Sequence, residues 1–250
     1  MTTTLVATAN VRCDLDRGSA ASALATVLAQ EPDLVGLQEW SAARSVVLRR
    51  TGRVVPVPWR GSRVDDGWVW CAPLLGGCVA GARADRFRLI GCRPWVLSRP
   101  GRSDRGDQAL EPGRVATVSL WADRAADRTV ALVSQHLVSG VQRGGRYRDD
   151  RPGLVARHRA ETERLQRLVD RLEARGHTAY VVGDSNLHGF ALRGLTSAWA
   201  GREDHPGTLG PRRRVDDVLG PGPATEVRLV PTGSDHAAVL ARRADLPTTA

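Results

Sequence analysis

The chain has 250 residues, of which 42% are hydrophobic and 25% charged, and this composition excludes a mostly disordered protein. A chain of this length can bury a real core, so its stability requires neither disulfides nor a structural metal. No apolar run approaches the roughly 20 residues of a membrane span, and the first six residues lack the basic and apolar regions of a secretory signal. We therefore expect a cytoplasmic protein with no transmembrane segment.

The charge is strongly basic, with 36 basic against 27 acidic side chains and a formal net charge of +9. All the basic side chains are arginine. A positive excess favours a polyanionic partner such as nucleic acid. The codon bias of a GC-rich genome is the alternative explanation for arginine in place of lysine, although it does not explain the excess of bases over acids.

Four cysteines, Cys13, Cys71, Cys78 and Cys92, are scattered along the chain. None of them is in a Cys-x-x-Cys pair, so the sequence does not predict a zinc site. We expect small buried thiols instead.

In chain order, the first predicted elements are a strand over residues 4–10 and a helix over 19–30 with Ser19 as its N-cap. A short buried strand over 34–37 then leads into Glu39. The region 52–113 is rich in glycine, proline, tryptophan and arginine, and its short apolar runs predict several strands joined by loops.

The second half of the chain alternates strands with one long helix. The helix carries an apolar stripe of Leu165, Leu168, Val169 and Leu172 and ends at Gly176. The predicted elements are strands over 115–121 and 129–136, a loop over 140–153, the helix over 154–175, and strands over 178–183, 215–219 and 237–241. No repeat or linker divides the chain, so we expect one domain over residues 1–250, with a loose tail over 242–250.

Polar residues with catalytic potential follow or adjoin these apolar strands. Taken singly, each is typical of a turn or of a solvated strand end. In layered sheet proteins, however, strand ends converge on one rim, where such residues can form a single cluster. The set consists of Asn10, Glu39, His136, Asp184, Asn186, Asp235 and His236.

In order and spacing, this set resembles the motifs of the endonuclease/exonuclease/phosphatase superfamily, which includes deoxyribonuclease I. The matching stretches are Ala-Thr-Ala-Asn10, Asp33-Leu-Val-Gly-Leu-Gln-Glu39, Ser-Gln-His136-Leu, Val-Val-Gly-Asp184-Ser-Asn186, Arg214-Val-Asp216-Asp-Val-Leu and Gly-Ser-Asp235-His236. The resemblance implies a four-layer α/β-sandwich, in which two mixed sheets pack face to face with helices outside. It also implies hydrolysis of phosphate esters with a divalent metal.

The resemblance implies an oxygen-ligand site for Mg²⁺ or Mn²⁺, a hard cation that neutralises charge on phosphoryl oxygens. Glu39 is the best ligand in this set, and Asn10 and Asp235 complete the protein side. With either cation, the implied substrate is a phosphate ester.

By the same resemblance, Asp184 aligns the attacking water and accepts its proton, while Asn186 orients Asp184 or the phosphate. His236 contacts the scissile phosphate, as a base or as a charge stabiliser, and pairs with Asp216, which fixes its tautomer and favours the cationic form. His136 donates a hydrogen bond to a phosphate oxygen.

Arginines supply the candidate substrate contacts. Arg114 matches a family arginine that supports the phosphate site. Arg143, Arg146 and Arg148 lie in the loop after His136, where guanidinium groups could bind further phosphates. A merely solvated loop in an arginine-rich chain is the alternative.

Three departures from the family pattern stand out. Ser185 replaces a usual phenylalanine beside Asp184, and Asp217 replaces a usual tyrosine. The region 52–113 has no counterpart of the AP-endonuclease loops or of their catalytic tyrosine, so cleavage at abasic sites is not supported. Its four tryptophans favour core packing, with a stacking surface for bases as the alternative. They are Trp59, Trp68, Trp70 and Trp95.

The remaining histidines receive weaker assignments. His158, His177 and His205 are expected at the surface. His188, two positions beyond Asn186, is expected in a turn, with the site as the alternative location.

The sequence therefore predicts a metal-dependent phosphoric-ester hydrolase, foremost a phosphodiesterase or nuclease with nucleic acid as preferred substrate. A phosphatase or a lipid-headgroup phosphodiesterase of the same fold is the alternative, although no exposed run of aromatics marks a lipid-facing hairpin. A non-catalytic member that binds nucleic acid or protein is a third possibility, against which the complete residue set argues. No obligate protein partner is evident.

Overall fold

The computed structural model describes residues 2–63, 67–74, 77–202 and 204–245, without the side chains of Ser62 and Arg63. Within these ranges the chain forms eighteen strands and three α-helices. The helices are α1 (Arg17–Leu28), α2 (Ser45–Leu48) and α3 (Pro152–Glu173). The strands are β1 (Thr3–Asn10), β2 (Leu34–Gln38), β3 (Gly52–Val57), β4 (Trp59–Arg63), β5 (Trp68–Pro73), β6 (Val79–Arg83), β7 (Phe87–Ser98), β8 (Gly101–Arg102), β9 (Leu110–Glu111), β10 (Arg114–Asp123), β11 (Arg128–His136), β12 (Gln142–Arg143), β13 (Arg146–Tyr147), β14 (Thr178–Asp184), β15 (Thr196–Ser197), β16 (Asp216–Gly220), β17 (Ala224–Pro231) and β18 (Ala237–Ala244).

Two seven-stranded mixed sheets dominate the structure. The first sheet has the order β17-β18-β1-β2-β6-β5-β3, and the second has the order β15-β16-β14-β11-β10-β7-β4. Each contains a central parallel pair, β1 with β2 and β11 with β14. Parallel strands are buried on both faces, which explains why these four read as nearly continuous apolar runs.

Three apolar clusters divide the molecule into four layers. A central cluster, including Val6 and Val182, lies between the two sheets. A second cluster packs α1 and α2, through Leu24 and Leu48, on the outer face of the first sheet. A third packs the predicted stripe of α3 on the outer face of the second sheet. The expected four-layer α/β-sandwich is therefore confirmed.

The starts of the helices differ from the sequence prediction. α1 begins at Arg17 because the Asp16 carboxylate accepts from the Ser19 amide at 2.8 Å, so Asp16 and not Ser19 is the N-cap. α3 begins at Pro152, and its first-turn amide of Gly153 donates to Asp104 of a distant loop at 2.7 Å. Such a tertiary cap leaves no local sequence signal.

The predicted loose tail is wrong for its first residues. β18 continues to Ala244, and the fully buried Arg243 donates to the carbonyl oxygens of Val218 and Thr196 at 2.7 and 2.8 Å. Asp245 pairs with Arg86 at 2.8 Å. Residues 246–250 lie outside the described part of the chain. β17 was not predicted, because it is an edge strand in which polar and apolar residues are mixed.

The tryptophans of the middle region pack into the core, as expected. Trp70 is fully buried in the second cluster and stacks on Trp68 with ring centroids 4.9 Å apart. Trp59 packs against the central cluster and Trp95 against the third. Three of the four cysteines are buried as predicted; the exception is the exposed Cys13. Among the described residues, no helix combines the length and apolar character needed to cross a bilayer.

Candidate active site

Four strand ends converge at one edge of the sandwich. In the first sheet Asn10 is in register with Gln38, the residue before Glu39. In the second sheet Asp184 is in register with both His136 and Asp216. An open cavity of about 460 Å³ lies here, and its lining residues are Cys13, Glu39, Arg114, His136, Ser139, Asp184, Asn186 and His236.

Two glycines allow close packing behind this cavity, Gly36 between the two sheets and Gly183 within the second sheet. A Cβ on Gly36 would lie 2.3 Å from Cγ2 of Val182 on the opposite sheet. Gly183 has φ +136°, and a Cβ there would lie 1.9 Å from the Gln135 carbonyl oxygen. Any larger residue at either position would displace the strand that carries Asp184.

Asn10 and Glu39 form the side of the site contributed by the first sheet. Asn10 Nδ2 donates to Glu39 Oε1 at 3.3 Å and to Asp184 Oδ2 at 3.1 Å. The Cys13 amide donates to Glu39 Oε2 at 2.9 Å. Glu39 has φ 57°, a left-handed conformation that is uncommon for this residue type and often occurs at functional sites.

Arg44 supports the loops that carry Asn10 and Glu39. This side chain is 3% exposed, and its guanidinium donates to the carbonyl oxygens of Val11 and Arg12, both at 2.8 Å. It also donates to Leu15. A buried arginine directed at consecutive carbonyl groups fixes the backbone of the loop after β1. Arg44 was not predictable from the sequence, because its short helical segment carries no motif.

Asp184 occupies the centre of the site. Its Oδ1 accepts from the Asn186 amide at 2.7 Å, and its Oδ2 lies 3.6 Å from His136 Nε2 and 4.0 Å from His236 Nε2. Burial, together with the nearby charge of Asp216, holds the pKa of this carboxyl well above its usual range. A carboxylate with a raised pKa is suited to accepting a proton near neutral pH.

His236 and Asp216 form a buried pair, with Nδ1 2.7 Å from Oδ2. Burial opposes the charged ring, but the hydrogen bond and charge of Asp216 outweigh it and raise the pKa of His236 to about 9. The ring is therefore cationic at neutral pH, and its Nε2 N–H is directed toward Asp184. The predicted pairing of these two residues is present.

His136 and Arg114 form the opposite wall. Burial, followed by the positive charges of Arg114 and His236, holds the pKa of His136 well below its usual range, so this ring is neutral. Arg114 Nε is buried and has no hydrogen-bond partner among the described residues. A guanidinium group that lines a cavity is a natural site for an anion.

Two groups of side chains could hold a metal ion. Ligand atoms of Asp184, Asp216 and His236 all lie within 4.8 Å of one another. The hydrogen bond and raised pKa of His236 make it a poor ligand, because a cationic ring has no free lone pair. Glu39 and Asn10 fit better: the buried Asn10 Oδ1 lacks a hydrogen-bond partner among the described residues, and Mg²⁺ prefers such carbonyl and carboxylate oxygens.

Several predicted residues lie outside the cavity. Asp235 is exposed, and its Oδ1 accepts from the Ser234 hydroxyl at 3.1 Å. Arg143 and Arg148 pair with Asp150 at 3.5 and 2.5 Å. The roles of Asp235 as a ligand and of Arg143, Arg146 and Arg148 as substrate contacts stay predictions.

Other residues near the site were missed or misassigned. Cys13 and Ser139 line the cavity, and neither was identified from the sequence. His158, expected at the surface, is fully buried, because it faces the second sheet from α3. Its spacing within the apolar stripe of the helix was the available signal. His188 lies in a turn, as predicted, and lines a separate cavity of about 280 Å³ behind Ser185.

The comparisons with known proteins support the fold. No protein-family model matches the chain, and no curated protein matches its sequence. Among solved structures, D. rerio TDP2 complexed with a single-stranded DNA product has 15% identity and a TM-score of 0.66 over 97% of this chain and 99% of that one. An endonuclease/exonuclease/phosphatase from Bacteroides vulgatus has 17% identity and a TM-score of 0.63, covering 97% and 98%. The human Nocturnin catalytic domain with a bound sulfate anion has 18% identity and a TM-score of 0.60, covering 96% and 93%.

Proposed function

Since the chain has the fold of the endonuclease/exonuclease/phosphatase superfamily, we propose that it is a divalent-metal-dependent phosphoric-ester hydrolase. The observation that carries this proposal is the environment of Asp184. Its carboxylate is held by Asn10 and Asn186, lies between one neutral and one cationic histidine, and opens onto a cavity lined by Arg114.

Different side chains have different roles in the proposed phosphate-ester hydrolysis. Asp184 aligns the attacking water and takes its proton, while the Asn186 amide holds the carboxylate in that orientation. The His236 cation and the Arg114 guanidinium stabilise negative charge on the phosphoryl oxygens. His136 is neutral and donates a hydrogen bond to one of these oxygens.

Glu39 and Asn10 would hold Mg²⁺ or Mn²⁺ at the adjoining side of the cavity. A bound cation would supply Lewis-acid neutralisation of the phosphate. Asp216 contributes indirectly, because its hydrogen bond to Nδ1 keeps His236 charged and oriented.

We further propose a phosphodiester substrate, with nucleic acid preferred. The net charge of +9 supports a polyanion. The D. rerio TDP2 structure contains a single-stranded DNA product, and the Nocturnin domain holds a sulfate anion, a charged tetrahedral group like phosphate. A small or lipid phosphate ester is the competing substrate class.

A substrate panel with Mg²⁺ or Mn²⁺ tests the proposal. It comprises plasmid DNA, single-stranded DNA, RNA, bis-p-nitrophenyl phosphate, inositol phosphates and sphingomyelin, each with Asp184→Ala as control. We expect metal-dependent turnover of at least one nucleic acid, which the variant loses. If no substrate shows metal-dependent turnover, the proposed hydrolase activity is refuted. If turnover survives Asp184→Ala, the assignment of the active site to Asp184 is refuted.

A further inference from the structure

A small hairpin lies beside the turn that carries Asp184 and Asn186. The hairpin consists of β12 and β13, and the turn comprises residues 184–188. Tyr147 of the hairpin packs against an apolar cluster at the start of α3, whose members are Val138, Val141, Leu154 and Val155. The hairpin is thereby seated on the same helix that covers the second sheet.

Two chains of hydrogen bonds join this hairpin and α3 to the turn. In the first, His158 Nε2 lies 2.7 Å from the Ser185 carbonyl oxygen, and His158 Nδ1 lies 3.0 Å from the Tyr147 hydroxyl. A carbonyl oxygen only accepts, so the Nε2 position carries the proton and Nδ1 accepts from Tyr147. A single buried ring therefore connects helix, hairpin and turn.

In the second chain, Gln142 holds the turn from the other side. Its Nε2 donates to the Asn186 carbonyl oxygen at 3.0 Å, and its Oε1 accepts from the His188 amide at 3.1 Å. Asn186 has φ 54°, so its peptide groups adopt a left-handed conformation that the surroundings must maintain.

The contacts of His158 and Gln142 affect the catalytic carboxylate through one group, the backbone amide of Asn186. The Asn186 amide donates to Asp184 Oδ1 at 2.7 Å. That N–H and the Ser185 carbonyl belong to the same planar peptide group, so the hydrogen bond from His158 to the carbonyl oxygen also fixes the direction of the N–H. Gln142 holds the carbonyl oxygen of the next peptide group, which belongs to Asn186.

We propose that His158 and Gln142 are positioning residues for the Asp184–Asn186 turn, and this proposal rests on the proposed hydrolase activity. They act through the peptide groups of the turn and touch neither substrate nor metal. Loss of either residue allows the Asn186 amide to rotate away from Asp184, so the carboxylate loses its fixed orientation. Misplacement of a reacting group by about 1 Å can cost around 100-fold in rate.

The test compares His158→Leu, His158→Gln and Gln142→Met on whichever substrate the wild type turns over. His158→Leu removes both hydrogen bonds, whereas His158→Gln retains a donor and an acceptor. Gln166→Leu is the matched control, since Gln166 is also buried on α3 but bonds to Asp170 and Arg193, away from the turn. Each kcat and KM is measured at least 10 °C below the Tm of the least stable variant, about the margin that keeps all of them folded.

We expect His158→Leu and Gln142→Met to lower kcat by about 10- to 100-fold with KM nearly unchanged, and His158→Gln to recover most of it. Gln166→Leu should lower Tm but not kcat. A folded His158→Leu protein with wild-type kcat, or an equal loss in Gln166→Leu, would overturn the positioning role. If the wild type itself has no turnover, the proposed function fails instead, which is a separate result.

Discussion

Asp184 and His236 are buried neighbours of opposite charge. Burial disfavours the charged form of each, and the groups that contact them decide the direction of the pKa shift. The hydrogen bonds to Asp184 come from the neutral amides of Asn10 and Asn186, and burial together with the nearby charge of Asp216 raises its pKa. His236 has Asp216 at 2.7 Å, and this contact outweighs the burial. A proton acceptor and a cation consequently stand side by side at neutral pH.

Arg114 provides a direct test of anion binding at the residue scale. Arg114→Gln should raise KM by about 10-fold or more, since a charge-assisted hydrogen bond contributes about 1.5–3 kcal/mol. Steady-state kinetics and inhibition by sulfate measure the effect. Arg124→Gln, which replaces an exposed arginine of a different cavity, is the control and should leave KM unchanged. Equal KM values for Arg114→Gln and the wild type would contradict the assignment.

His158 predicts how stability changes with pH. Burial lowers the pKa of this ring below the ordinary value of 6.5, so the folded state binds fewer protons than the unfolded chain. Stability should therefore rise with pH up to about 6.5 and fall as the pH drops below it.

Urea denaturation between about pH 5 and 7.5 measures this dependence. Other buried groups also titrate in this range, so the informative quantity is the difference between the wild type and His158→Gln. The variant should show a weaker loss of stability in acid. Parallel curves for the two proteins would contradict the prediction.

At the scale of elements, the last strand shows how buried polar contacts override a sequence that reads as a tail. Ala-Arg-Arg-Ala has little apolar character, yet Arg243 is fully buried and its guanidinium binds carbonyl groups of the neighbouring segments. These partners come from residues 196–222, which no local pattern could indicate. β1, β2, β11 and β14 were predictable, by contrast, because central strands are apolar throughout.

Arg243→Ala should destabilise the protein by about 3 kcal/mol or more, because it leaves several buried carbonyl groups without a donor. Arg242→Ala is the adjacent control. Its partially exposed ion pair with Glu226 contributes less than about 1 kcal/mol. Chemical denaturation of both variants measures the difference, and equal losses would show that the burial of Arg243 adds nothing.

At the scale of the whole molecule, the order of motifs predicted more than any single residue did. Glu39, His136 and Asp184 meet because their strands end at one edge, and His236 joins them because β18 begins there. This convergence was predictable from the order of the motifs. Arg44, His158 and Gln142 were not anticipated as supports of the site. These three side chains bond mainly to backbone groups. Every residue has such groups, so the partners leave no recognisable sequence pattern.

The positive charge predicts salt-dependent binding of nucleic acid. Binding of single-stranded DNA to inactive Asp184→Ala should weaken with salt, and log Kd against log salt gives the number of phosphates neutralised. If Arg143 and Arg146 contact phosphates, their joint replacement by glutamine should reduce the slope by about 1 to 2. The exposed Arg49 and Arg50, replaced together, are the control. If the Kd of Asp184→Ala with its arginines intact does not change with salt, arginines do not contact phosphates.

We propose that one cavity combines a metal on Glu39 with proton acceptance by Asp184. Initial rates of phosphodiester hydrolysis against Mg²⁺ concentration, for the wild type, Glu39→Gln and Asp184→Asn, test it most directly. We predict saturable metal dependence in the wild type and a shift to higher concentration in Glu39→Gln. Asp184→Asn should be about 100- to 10,000-fold slower even at saturating metal. Full activity in the presence of a chelator, or a wild-type rate in Asp184→Asn, would contradict the claim.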